Sequence, residues 1–162
     1  MSPHVKLATR TVTVNPAFLE EIKEVNLELW ELLRGTSEYL NDASHRPLNA
    51  HRLLGQLVRL LDNVAMHFAL EEFYGYFDDP LADAPRLAES AAQLRDEHGL
   101  LYLQLCDLIE FVEEHLHRGT LGRVLRSIRN RFNAFMDQFV THETCERELI
   151  LEAYDEDLGI GD

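Results

Sequence analysis

Positive charge is scarce in this sequence: 15 Lys and Arg stand against 29 Asp and Glu, for a formal net charge of -14. That balance disfavours nucleic acid and anionic membrane as partners, because both require a basic face that neutralises phosphate. Long apolar runs are missing too; none approaches the ~20 residues of a membrane span, so a soluble protein is expected. Near the N-terminus, Lys6 and Arg10 are followed by no apolar segment and no small-residue cleavage site, so no secretion signal is read and a cytoplasmic location is expected. Cysteine is limited to Cys106 and Cys145, expected on separate helices at different heights, as buried free thiols rather than a disulfide. Internal repeats, low-complexity tracts and domain-dividing linkers are lacking as well. What remains is a chain of 162 residues, 46% hydrophobic along its whole length, the size of one domain with one core.

The punctuation of the chain predicts four helices. Residues 1–14, with Thr11-Val12-Thr13-Val14, have no helical period and read as an arm, the only place where a strand is expected. Asn15-Pro16 supplies an N-cap candidate and a proline at the first helical position, and Gly35 is expected to stop helix 1 at about Arg34. After a loop over 36–49, helix 2 is expected from Ala50 to about Phe77, ended by Asp78-Asp79-Pro80. Helix 3 is expected from near Asp83, with Pro85 in its first turn, to His115, His117 and Arg118 before Gly119. Helix 4 is expected from Thr120 to about Tyr154, giving a bundle over residues 15–155 and an acidic tail over 156–162. The fold class is therefore all-α, an antiparallel up-down-up-down four-helix bundle.

Written at i, i+3, i+4 and i+7 spacing, the inward stripes are Ile22, Asn26, Leu29, Leu33 on helix 1 and Leu57, Leu60, Val64, His67, Glu71, Tyr74 on helix 2. Helix 3 presents Leu94, His98, Leu101, Leu105, Leu108, Val112, and helix 4 presents Ile128, Phe132, Phe135, Phe139, His142, Glu146, Leu149. Charge enters these stripes at one level, and an unpaired buried charge is prohibitively costly. Two of the interruptions share the pattern His-x-x-x-Glu, as His67 to Glu71 and His142 to Glu146, and that spacing puts both side chains on one helical face. The heights agree: His98 lies about 20 residues before the end of helix 3 and His142 about 21 after the start of helix 4, which sets them side by side. His67, about ten residues before the end of helix 2, meets His98 within roughly a turn.

Three imidazoles and two carboxylates, from His67, Glu71, His98, His142 and Glu146, offer nitrogen and hard oxygen donors without thiolate. That set suits iron, manganese or zinc, and the carboxylates can bridge two ions. A single interior histidine is more often hydrogen-bonded in a core than bound to metal; the two pairs plus a level histidine on a third helix are the specific signal. His4, His45, His51, His115 and His117 lie off the stripes and are expected at the surface, whereas Tyr74, Cys106 and Cys145 are expected to pack in the core.

The stretches His67-Phe68-Ala69-Leu70-Glu71-Glu72, Glu97-His98-Gly99-Leu100 and His142-Glu143-Thr144-Cys145-Glu146 resemble the hemerythrin-like (HHE cation-binding) domain family, from helix 1 to helix 4. The resemblance implies two non-haem irons, with Glu71 and Glu146 bridging them. It also implies a histidine on helix 1, where this sequence has Asn26, an amide that holds a bound water or pairs with a core neighbour. Oxygen-carrying members place a further histidine one turn beyond the helix 3 histidine; here that residue is Tyr102, expected to pack and to donate an outer hydrogen bond to the site.

Three functions compete on these residues. The first is a non-haem iron or diiron binding protein that senses or handles oxygen, nitric oxide or iron, with a small diatomic ligand and no assigned protein partner. The second is an iron-dependent oxidase or peroxidase, disfavoured because ferritin-like oxidases use Glu-x-x-His rather than His-x-x-x-Glu helices. The third is a helical interaction module that has lost its metal, motivated by Asn26.

Overall fold

The computed structural model describes residues 16–42, 47–73 and 84–159, with side chains described over 26–42, 47–73 and 84–153. The arm over 1–14, the cap at Asn15, the stops at Asp78-Asp79-Pro80, the start at Asp83 and residues 160–162 of the acidic tail lie outside the described residues. So do Tyr74, His4, His45 and the side chain of Ile22.

Among the described residues there are four α-helices and no strand: α1 (Pro16–Asp42), α2 (Ala50–Phe73), α3 (Ala88–His117) and α4 (Leu125–Gly159). Each helix packs on the next, and α1 also packs on α4, a helical bundle. No described helix is long and apolar enough to cross a membrane.

The expected stop at Gly35 is not used; α1 runs on to Asp42. One interior glycine costs about 1 kcal/mol relative to alanine, whereas burying a leucine contributes roughly 1.5–3 kcal/mol. Beyond Gly35 the stripe continues through Thr36 and Leu40, which are 0% and 1% exposed, so burial outweighs propensity. Arg129 of α4 secures that end by donating from Nε and Nη2 to the Leu40 carbonyl at 3.2 and 3.1 Å. Asn49 caps α2 by accepting the Arg52 amide on Oδ1 at 3.1 Å, while its own amide donates to the Tyr39 hydroxyl at 2.9 Å.

Pro85 opens a single 3-10 turn, Pro85–Leu87, ahead of α3. At the other end Gly119 takes φ +66°, and the Thr120 and Gly119 amides donate back to the His115 and Leu116 carbonyls at 2.9 and 3.1 Å. This is a Schellman closure, in which only glycine holds the left-handed position without strain. Thr120 is thereby committed to α3. Helix α4 consequently starts at Leu125 rather than Thr120, after a second 3-10 turn over Leu121–Arg123.

The core is divided by height. A large apolar cluster takes Leu29 and Leu33 of α1, Leu53 to Phe68 of α2, Leu101 to Val112 of α3 and Ile128 to Phe139 of α4. A small one takes Ala84, Leu87, Ala91 and Leu94 at the start of α3, with Leu149 and Ala153 of α4. On α3 His98 falls between the two clusters, and on α4 His142 and Glu146 do.

Candidate metal centre

The bundle brings all five inward polar residues of helices 2 to 4 together. His67, Glu71, His98, His142 and Glu146 are each at least nine-tenths buried. The i,i+4 spacing folds each pair onto itself, with His67 Nε2 2.9 Å from Glu71 Oε1 and His142 Nε2 3.0 Å from Glu146 Oε1. His98 reaches across from α3, its Nε2 3.1 Å from Glu146 Oε1 and 3.4 Å from Glu71 Oε2. Two donor groups result, Glu71 with His98, His142 and Glu146, and His67 with Glu71 and Glu143; within each, the donor atoms lie within 4.8 Å of one another.

Glu143, Glu72 and Glu97 were not singled out by the spacing argument, and the structure gives each a histidine. Glu143 Oε1 accepts from His67 Nε2 at 2.7 Å. Glu72 accepts from His98 Nδ1 at 2.9 Å and Glu97 from His142 Nδ1 at 2.8 Å. Each follows or precedes an inward residue in sequence, a quarter-turn off the stripe, where periodicity does not separate it from the many solvent-facing carboxylates. Phe68 fixes the His98 ring from its face, stacked at 4.0 Å and 7°, and His142 meets His98 edge-on at 5.0 Å.

The cluster carries more carboxylate than imidazole, and the protons respond. Burial, the largest single influence on the His67 ring, pulls it down, but the hydrogen bonds to Glu143 and Glu71 and their charges outweigh it and raise the group from 6.5 to about 10. His142 follows the same balance, with Glu146 and Glu97 lifting it to about 9 against burial. His98 is raised by Glu146 and Glu72. Glu146 is pushed up by burial but pulled down further by His142 and His98, to about 2, whereas burial keeps Glu71 raised. Imidazolium protons thus supply positive charge to a centre that demands it.

The donor chemistry fits a divalent cation. The buried Glu71 Oε2 and His142 Nε2 have no hydrogen-bond partner; His142 Nε2 is close to Glu146 but out of line with it. A buried carboxylate oxygen and a buried imidazole nitrogen left without hydrogen-bond partners are positions that a cation, displacing the ring proton, would satisfy. The Nδ1 atoms of His98 and His142, meanwhile, are held by carboxylates, the usual orienting partner of a ligating imidazole.

Other sequence expectations are corrected. Tyr102 is 38% exposed and makes no described hydrogen bond to the centre, because on α3 the buried stripe runs through Leu94, His98, Leu101 and Leu105 and leaves Tyr102 on its edge. Cys145 is exposed rather than packed in the core, since it lies a quarter-turn from Glu146; Cys106 is half-buried, and both are free thiols. His51 and His117 are exposed as expected, but His115 is half-buried, its Nδ1 hydrogen-bonded to Thr120 Oγ1 at 2.7 Å at the end of α3. Asn26 is half-buried, its Oδ1 is buried without a partner, and it lines a cavity of about 300 Å³ together with His67, Glu71, Glu143 and Glu146. Compared with family models, curated proteins and solved structures, the chain finds no match.

Proposed function

We propose that this chain is a hemerythrin-like protein of the cytoplasm, an up-down-up-down antiparallel bundle that holds one or two non-haem iron ions and senses or handles oxygen, nitric oxide or iron. One observation carries the reading: Glu71 turns Oε1 to His67 and Oε2 to His98, so a single buried carboxylate belongs to both donor groups. Antiparallel packing of the first two helices is supported by two cross-links. Tyr39 meets Asn49 near one end, and Arg59 donates to Glu28 at 2.9 Å further along.

His67, Glu71, His98, His142 and Glu146 would hold the metal. Iron held there would supply a coordination position for a small diatomic ligand. The chain's own residues set the conditions for this. Phe68 and Phe139 pack beside the imidazoles and exclude water from the inner side, and Glu72 and Glu97 hold the Nδ1 protons of His98 and His142, so that the proton displaced by a metal would be the one on Nε2. Before loading, imidazolium protons balance the ionised Glu146 and the neighbouring carboxylates, and an incoming cation would take over that positive charge as the imidazole protons leave.

Iron per chain, determined by elemental analysis after expression in iron-supplemented medium and gel filtration, tests the reading together with an optical spectrum. A near-stoichiometric iron content with visible or near-ultraviolet bands is expected. Less than a tenth of an equivalent of any divalent transition metal would overturn it. Steady-state consumption of hydrogen peroxide or ferrous iron would move the assignment to an oxidase or peroxidase.

A further inference from the structure

We propose that Glu143, rather than Asn26 of α1, completes a second cation site with His67 and Glu71, and that this outer site takes a hard divalent ion of the Mn2+ or Fe2+ class in exchange with solvent. The inference rests on the metal-binding reading above and assigns the half of the centre that the sequence leaves without a helix 1 donor.

The argument turns on which face of each imidazole a carboxylate occupies. Glu72 and Glu97 approach Nδ1 of His98 and His142, the outward nitrogen, where a carboxylate orients the ring. Glu143 instead approaches Nε2 of His67, the nitrogen that also faces Glu71. It therefore stands where a ligand stands. His67, Glu71 and Glu143 offer three donor atoms within 4.8 Å of one another. Glu71, nine-tenths buried, faces this group with Oε1, while its unpartnered Oε2 turns to His98 and the inner group; on the outer side the unpartnered buried atom is Asn26 Oδ1, which lines the same cavity as His67, Glu71 and Glu143. Among the described side chains of α1, those that line the cavity are Asn26 and Trp30, and Asn26 offers a neutral amide, a weaker donor than carboxylate.

The donor sets of the two groups differ in hardness. The inner group has two imidazoles with two carboxylates, whereas the outer has one imidazole with two carboxylates, which moves its preference toward hard ions such as Mn2+ and Fe2+ and away from later first-row metals. Access differs as well. The 300 Å³ cavity is lined by Asn26, Trp30 and Arg147 and reaches His67, Glu71 and Glu143; of the inner group it meets the carboxylates Glu71 and Glu146 but neither His98 nor His142. An ion in the outer site meets solvent directly through that cavity.

The test is Mn2+ binding to the metal-free full chain, counted by equilibrium dialysis with elemental analysis and followed by the paramagnetic resonance of the bound ion. Wild type and the exposed-carboxylate control Glu113→Gln are expected to bind two equivalents, the second more weakly, and Glu143→Gln one, with unchanged helical circular dichroism and the tighter dissociation constant within about threefold of wild type. Two equivalents in Glu143→Gln, or one in wild type, would overturn the outer site while leaving the inner one standing. No binding by wild type would overturn the metal-binding reading itself. Should Glu143→Gln fail to fold, Glu143→His decides: a weaker site that now prefers Zn2+ over Mn2+ supports ligation by residue 143, and an unchanged preference refutes it.

Discussion

Glu97 accepts the Nδ1 proton of His142 at 2.8 Å although the imidazole is 1% exposed and the carboxylate 47%. The pair crosses from α3 to α4 and joins a solvent-facing charge to the most deeply buried histidine of the centre. Its electrostatic contribution to stability is small, because the carboxylate is half in water and screened. Its contribution to ring orientation is not screened in the same way.

Glu97→Gln should therefore leave the fold intact and weaken metal retention, by roughly 10- to 100-fold in affinity. Competition with a calibrated chelator measures the affinity, and urea unfolding of the metal-free protein measures the stability. Unchanged affinity would show that His142 is held by packing alone.

His142→Ala should remove most bound metal, whereas His51→Ala, at an exposed position at the start of α2, should keep the wild-type content. Metal removal from the wild type should also lower the melting temperature, because the ion binds the folded state preferentially. Equal metal content in the two variants, or equal melting temperatures of metal-loaded and metal-free protein, would contradict the site.

In the metal-free protein the raised histidines stabilise the fold fully below their ordinary value of 6.5, and that contribution is lost as pH rises through about 9 for His142 and about 10 for His67. Glu146, lowered to about 2, contributes above 4.5 and loses its contribution as pH falls toward 2. Metal-free stability should accordingly be highest between about pH 4.5 and 6.5 and decline on the alkaline side, as read by urea midpoints. Metal affinity should run the opposite way and rise with pH, because protons and metal compete for the same imidazoles. An alkaline rise in metal-free stability would refute the assigned protonation.

Gly35→Ala should stabilise the protein by about 0.5–1 kcal/mol, because the position is mid-helix in α1 and an added Cβ meets nothing within 4 Å. A denaturant midpoint that falls instead would mean that α1 does not run unbroken past residue 35.

The helical periods, the apolar stripes and the five inward donors were legible because each is a local property: i,i+4 spacing puts His67 with Glu71 and His142 with Glu146 on one face whatever surrounds them. The close of α3 at Gly119 was legible for the same reason, since a left-handed cap needs glycine there. Whether a stop signal is obeyed was not local. Gly35 is overruled by the burial of Thr36 and Leu40 against neighbouring helices, and Thr120 is diverted from starting α4 by the closure of α3. The pairing of Glu72, Glu97 and Glu143 with histidines was decided only when the helices met. Each is one acidic residue among many in sequence, and what separates a solvated carboxylate from one that holds a buried imidazole is which ring nitrogen it faces, a relation set by packing across helices.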